Sequence, residues 1–520
     1  MRRQPWVPPA VFVLLVIAVR FKYVRQMVLD GLPYFADADC YTRMMRVKCL
    51  LQDGQVFRSF HPWENAPLGI TTHATALTDL LIALPALLFS PFSANGLDWA
   101  GWLISPLLAG LAGWLLWKWT LEAALDLGWT RWPLLLTFAL HPLVLWSNSV
   151  GRPDHQSLFV PLLTLALVLD LLRARDARWV WPSGLCWGLA LWVSLYEPLA
   201  LFLISLILSA VYLRGQMLRW LAGVLLVAGP AWLLEGWRWG GLRDTWKDPL
   251  LANWLAMVGE LKSPPPWYWL SFPLAGVALV FLGYSAFTAF RARRARPAKN
   301  ETGSRWLFPV VYSWVLSLVL VGLSLWQQRW MTLLPFPLAW AVFQTLRPLR
   351  SPSWRTCWIV LHLLPLVVWN LYEIPQLAPP KGLAQVRAMA KEIHGGGTIL
   401  APWWLSPALL YYSGQPIVAS SSHQSLSGIV DSARFFTTAD FVQAGEILQR
   451  RGVRWVAVYR PVRSFANSRE ILFGPGADPS IVQKDFYRYV LLRLWDFKMV
   501  PTRYQIVFAS EDWKLYRYDP

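Results

Sequence analysis

Residues 134–146 read LLLTFALHPLVLW, residues 147–157 SNSVGRPDHQS, and residues 158–172 LFVPLLTLALVLDLL. Two strongly apolar runs are joined by a short segment holding Arg152, Asp154, His155 and Gln156. In lipid a chain must satisfy its own backbone groups, and about 20 apolar residues coiled as a helix cross the hydrocarbon layer. The pattern repeats, with separate apolar runs of 16 to 23 residues from residue 6 to about residue 373. The chain has 520 residues, 56% hydrophobic and 15% charged, with 35 Trp. It reads as a polytopic α-helical membrane protein.

The net charge of +18 invites comparison with nucleic-acid binders. Arg and Lys instead cluster in short loops between apolar runs, as the positive-inside rule requires, and no nucleic-acid partner is expected. The clusters are Arg173/Arg175/Arg178, Arg214/Arg219, the RARRARPAK run from Arg291, and Arg347/Arg350/Arg355. Met-Arg-Arg ahead of the first run reads as an uncleaved signal anchor with a cytoplasmic amino terminus. Cys40, Cys49, Cys186 and Cys357 lack metal spacing. Cys40 and Cys49 share a loop and are read as free thiols, with pairing outside the cytoplasm as the alternative.

Crossings counted from the basic clusters put the 147–157 loop, the 235–267 loop and the WQQR turn at 326–329 outside. The polar stretch 23–73, the start of a first outer loop 23–96, meets a parity condition: it shares a face with Asp154 only if two of the three apolar segments between them cross. Segment 74–93 opens with THATALTD, carries Asp79 and contains Pro85 and Pro91. It reads as a helix lying in the outer interface, which leaves about eleven spans.

After residue 376 the pattern shortens. GTILAP, QPIVAS, VRWVAVYR and YQIVFAS read as strands, ADFVQAGEILQRR and DFYRYVLLRLW as amphipathic helices. Residues 1–376 are therefore a transmembrane domain and residues 377–520 an extracytoplasmic α/β domain.

Asp37 and Asp39 in DADCYTR, and Asp154 in RPDHQ, then fall on one outer face. Carboxylates at the mouths of different spans suit a hard divalent cation, Mn or Mg, which neutralises a phosphate leaving group. Polar residues at a water interface are the plainer alternative. Arg329, between Trp326 and Trp330, has a fork that matches phosphate oxygens, and as plainly reads as an interfacial arginine.

The order of these motifs resembles the catalytic subunit of oligosaccharyltransferases, among the C-type membrane glycosyltransferases. Asp37, followed six residues later by Arg43, matches the family's first-loop metal ligand. Asp154-His155-Gln156 matches in part a D-x-E, D-x-D or DHH motif; the third ligand falls on neutral Gln156, with His155 as a substitute. AMVGELKSPPPWYW resembles the loop whose glutamate engages the acceptor, which assigns Glu260. Arg329 matches the arginine on the lipid-linked phosphate. APWWLSPALL resembles the WWDYG segment, so Trp403 and Trp404 are acceptor-binding candidates, with core packing as the alternative. Leu405 replaces the aspartate that reads the hydroxyl of an Asn-x-Ser/Thr acceptor. DADCYTRMMRV with PLGITTHATALTDLLIALPALL looks closest to uncharacterised bacterial members. Glu197 in SLYEP is a recurrent position there, a site wall with no further role.

The resemblance implies an inner-membrane glycosyltransferase using Asp37, Asp154 and Glu260 as catalytic residues. It would move a sugar or oligosaccharide from a polyprenyl (pyro)phosphate donor to a protein acceptor, a glycolipid or polysaccharide acceptor being the alternative. A transporter is the rival of another class; its charges sit at mid-membrane on repeated, broken helices. Here no repeat is evident and the acids lie at loop mouths.

Overall fold

Proline decides where several helices begin and where one breaks. It lacks the N–H that the first helical turn leaves unpaired anyway, so it sits at helix starts without loss. Pro335 and Pro352 open the Pro335–Leu346 and Pro352–Glu373 helices. Pro142 opens Pro142–Ser147 and leaves His141 extended (φ −65°, ψ 123°) at the end of Arg131–Leu140. The apolar run that holds residues 134–146 is therefore two helices, because the residue before proline is driven out of the α region.

The computed structural model describes residues 9–122, 128–236, 245–295, 307–476, 488–497 and 500–520. Expectations for residues 6–8, for part of the 235–267 loop, for the end of the RARRARPAK run and for the start of DFYRYVLLRLW lie outside the described residues. The described chain is mostly helical with a small carboxy-terminal sheet. Among the described residues, five helices are long and apolar enough to cross a membrane: Gly96–Leu121, Gln156–Arg173, Arg214–Glu235, Phe308–Trp326 and Pro352–Gln376. Ala76–Phe89, Tyr196–Tyr212 and Ala275–Thr288 are shorter apolar helices.

The chain divides into two compact units that cut across the compositional boundary at residue 376. The first holds residues 1–25, 102–234 and 263–378. The second holds residues 26–101, 235–262 and 379–520, so both long polar loops group with the carboxy-terminal segment.

In the first unit, small residues let helix backbones meet. A Cβ on Gly184 would lie 2.4 Å from the Trp220 carbonyl oxygen, and one on Gly188 2.7 Å from that of Val224. Val180–Val193 and Met217–Glu235 thus touch backbone to backbone. Asp170, fully buried, accepts from Arg173 (2.7 Å), Ser183 (2.5 Å), Trp187 (3.0 Å), Ser205 (2.7 Å) and Tyr312 (2.9 Å). A charge in such a place is tolerable only when paired and fully hydrogen-bonded. Arg173, counted from sequence among the basic loop clusters, is 0% exposed and stacks over Trp220. It is part of the core.

In the second unit the strands run in the order Thr398–Leu400, Val453–Tyr459, Trp513–Tyr518, Tyr504–Ala509. The first pair is parallel and the others antiparallel. QPIVAS forms only an isolated bridge, Ile399 to Ile417, and Trp513–Tyr518 is a strand the sequence reading missed. Its Lys514 and Arg517 obscure an alternation whose other residues are mostly buried. Ile417 also pairs with the first loop: its N–H donates to the Trp63 carbonyl (2.8 Å) and its carbonyl accepts from Ala66 (3.0 Å). Cys40 and Cys49 are buried free thiols.

Candidate active site

Asp37 and Asp39 open the Ala38–Asp53 helix of the second unit. Asp37 is the N-cap, its Oδ1 accepting from Cys40 N–H at 3.0 Å. Asp39 is exposed in the first turn, and its Oδ1 accepts from Ser421 Oγ at 2.5 Å. Both acids gain from the positive end of the helix dipole. Arg43, whose spacing from Asp37 supported the family match, is buried. It pairs with buried Asp79 at 2.8 Å, as Arg46 does at 2.7 Å. Asp79 on Ala76–Phe89 is thus an anchor for this helix.

Glu260 lies half-buried in the 3₁₀ turn Gly259–Leu261, directly after the Leu251–Met257 helix. That helix packs on Pro461–Phe473 through wholly buried Trp254 and its apolar neighbours. The Trp254 and Trp403 rings stand nearly perpendicular, centroids 4.5 Å apart. Both indoles donate internally: Trp254 to His423 Nδ1 (2.9 Å) and Trp403 to Asn467 Oδ1 (3.0 Å). Trp403 packs against the buried cluster around Ile429 and Ile471. Trp404 is partly exposed, with the Arg463 guanidinium 5.8 Å from its ring centre. Leu405 caps Ser406–Ser413 and provides no side-chain acceptor.

Sequence reading missed the segment that gathers these pieces. Ser421 meets Asp39, Gln424 meets His73 of the first loop (3.1 Å), and His423 meets Trp254. The run SSSHQS was the available signal: polar residues directly after the apolar PIVA.

In the first unit the SNSVGRPDHQS segment is mostly buried, Asp154 at 3% and Arg152 at 5% exposure. It is a packed turn rather than a solvated loop. Gly151 N–H donates to the Trp102 carbonyl (2.9 Å), Asn148 to that of Ser157 (2.7 Å), and the Arg152 guanidinium lies over Trp146 (4.6 Å). Asp154 Oδ1 accepts from His155 N–H and from His155 Nδ1, both at 2.6 Å. Pairing with a carboxylate puts the ring proton on Nδ1 and leaves Nε2 as the acceptor nitrogen, an orientation common among metal-binding histidines. Gln156 is the first residue of Gln156–Arg173.

Arg329 sits in the 3₁₀ turn Gln328–Thr332 ahead of Pro335–Leu346. Its Nε donates to Glu197 Oε1 at 2.6 Å, a second guanidinium nitrogen contacts the same oxygen, and the group lies 5.0 Å over Tyr196. Glu197, 1% exposed, also accepts from Ser194 (3.1 Å). The Glu197–Arg329 pair is a contact the sequence did not show.

The first unit thus supplies Asp154–His155 and Glu197–Arg329; the second supplies Asp37, Asp39, Glu260 and the tryptophans. Among the described residues, no three His, Cys, Asp or Glu side chains gather around one point. The donors that each unit offers are hard carboxylate oxygens, joined in the first unit by one imidazole nitrogen, and ligands of that type suit a hard divalent cation.

No protein-family model and no curated protein sequence matches the chain. Solved structures do match in fold. The oligosaccharyltransferase of Archaeoglobus fulgidus, tethered to an acceptor peptide containing the NVT sequon, aligns at TM-score 0.66 and 12% identity, over 96% of this chain and 79% of that one. The archaeal oligosaccharyltransferase AglB of the same organism, with an inhibitory peptide and a dolichol-phosphate, aligns at 0.63 and 13%, over the same shares. ArnT from Cupriavidus metallidurans in the apo state aligns at 0.55 and 12%, over 98% and 97%. The chain shares the fold of these membrane enzymes.

Proposed function

We propose that the chain is a multi-pass membrane glycosyltransferase of the C type, oligosaccharyltransferase-like. It moves a sugar or oligosaccharide from a polyprenyl (pyro)phosphate donor to a protein acceptor at the outer face of the inner membrane. About eleven spans, with residues 377–520 extracytoplasmic, belong to the same reading. So does an affinity with bacterial members, which the DADCYTRMMRV stretch supports. One observation carries it. Asp37, Asp154, Glu260, Arg329 and the Trp403–Trp404 pair follow one another in a chain whose fold matches oligosaccharyltransferase structures over 96% of its length.

Asp37, Asp39 and Asp154, with His155 and Gln156, would hold Mn or Mg, which when bound neutralises negative charge on a leaving phosphate. Arg329, held by Glu197, donates to phosphate oxygens of the lipid donor. Asp154 fixes the His155 ring. Glu260, in the turn that follows the Leu251–Met257 helix, orients the acceptor. The Ala76–Phe89 helix, about 21 Å long by its 14 residues, is short of the roughly 30 Å hydrocarbon layer, which supports an interfacial position.

A second reading concerns the acceptor. Trp403 spends its N–H on Asn467, and Leu405 provides no acceptor oxygen. These facts favour a glycolipid or polysaccharide over a sequon peptide. The test is release of polyprenyl phosphate or pyrophosphate by the purified chain from sugar-loaded polyprenyl donors, offered peptide and glycolipid acceptors. Activity should vanish in EDTA and return with Mn or Mg. Absence of release with every donor and acceptor refutes the reading.

A further inference from the structure

The stretch FHPWEN, residues 60–65, has no part in the site described above, yet two of its side chains, His61 and Glu64, are 0% exposed. His61 Nδ1 lies 2.7 Å from Glu64 Oε1, and its Nε2 2.7 Å from an Arg46 guanidinium nitrogen. Arginine only donates, so Nε2 accepts and Nδ1 carries the proton that Glu64 receives. The geometry therefore requires a neutral imidazole. Arg46 continues the chain to Asp79 (2.8 Å), where Arg43 also ends (2.8 Å). None of these five side chains is more than 5% exposed. The Trp63 ring stacks on His61 at 4.9 Å, and Arg46 also donates to the Arg58 carbonyl. Two guanidiniums then balance two carboxylates. Beyond them, Arg58 lies over Trp63, and the Arg451–Asp431 pair reaches Asn65 and the Ala66 carbonyl.

Arg43 and Arg46 lie about one and two turns after Asp39 on one helix. That helix starts at Asp37. We propose that His61, acting through Arg46, is a positioning residue for Asp37 and Asp39, because the Glu64–His61–Arg46–Asp79 relay fixes their helix only while the imidazole is neutral. A second proton on His61 would point an N–H at a guanidinium N–H, with no acceptor between them; the contact must open, and the helix loses its hold. Burial keeps the imidazole pKa below its ordinary value, against the opposing pull of Glu64. The relay holds at neutral pH and fails only where the ring takes up a second proton, below the ordinary imidazole value. The role in positioning rests on the reading of Asp37 and Asp39 as site acids; the relay does not.

The test uses the full chain in nanodiscs. Hydrogen exchange of Ala38–Asp53, corrected for intrinsic rates, is followed from about pH 7.5 to about pH 4.5, bracketing the ordinary imidazole pKa of about 6.5. The native chain should lose protection about tenfold or more in one acid step. Transfer activity, assayed over the same range, should fall with it. His61→Gln keeps both contacts, since its amide oxygen accepts from Arg46 and its amide N–H donates to Glu64, but it cannot titrate. Its exchange profile and activity should lack the step. A native profile without a step, or the same step in His61→Gln, overturns the relay. Glu64→Gln removes the carboxylate that favours the charged ring, so it should move the step to lower pH; a step that stays put overturns it as well, even where His61→Gln does not fold. If no polyprenyl donor is used at neutral pH, the functional reading fails, while the exchange profiles still decide the relay.

Discussion

Asp37 has two possible jobs whose energies differ enough to be separated by one pair of substitutions. As N-cap it accepts from Cys40 N–H at 3.0 Å, a contact worth about 1 kcal/mol when an acid is replaced by alanine. Asparagine caps as well as aspartate, so Asp37→Asn should leave the helix intact, and Asp37→Ala should cost about 0.5–2 kcal/mol. A loss of that size lowers the folded fraction of a stable protein negligibly, and even if it misplaced the site it would account for no more than about thirtyfold in rate. As a metal ligand, Asp37 supplies a full negative charge to a divalent ion, and a neutral amide oxygen is a poorer substitute. Both variants should therefore lose transfer by more than a hundredfold, with unfolding of Asp37→Asn unchanged and that of Asp37→Ala slightly earlier. The assay pairs thermal unfolding in nanodiscs with release of polyprenyl phosphate at saturating Mn. If Asp37→Asn transfers at the native rate, Asp37 is a cap only and the ligand assignment is wrong.

Three further outcomes are expected. Asp170→Ala leaves Arg173 buried without its carboxylate and should destabilise the first unit by about 3–5 kcal/mol, read as early thermal unfolding; native stability would mean the pair is not buried. The lowered pKa of His61 means that the unfolded chain takes up the proton first as pH falls below about 6.5. His61's contribution to stability is full above that pH and declines by up to about 1.4 kcal/mol per pH unit until the folded-state pKa is passed; denaturant unfolding at graded pH, with His61→Gln as reference, measures it. Leu405 offers no acceptor to a sequon hydroxyl, an omission worth roughly 1–3 kcal/mol. Asn-x-Thr and Asn-x-Ala peptides should therefore be used, or refused, almost equally, and a hundredfold preference for Asn-x-Thr would show that another residue reads it.

The sequence by itself determined that the chain is built of membrane helices. Run length and the cost of unpaired backbone in lipid leave few alternatives to LLLTFALHPLVLW and LFVPLLTLALVLDLL, and the order of acids and Arg329 along the chain was legible without any contact. Tertiary structure decided which charges are partners. Arg173 read as a loop charge and is a core residue on Asp170; Arg43 read as part of a metal motif and is an anchor on Asp79; Glu197 had no role until it met Arg329, 132 positions away. The same holds for Trp403, packed and bonded to Asn467, and for SSSHQS, which touches Asp39, His73 and Trp254. Apolar burial is carried in the sequence as a period, because it is non-directional and depends only on which face a residue occupies. A buried charge must find a particular opposite charge at hydrogen-bonding distance, and only the folded chain says which distant residue stands there.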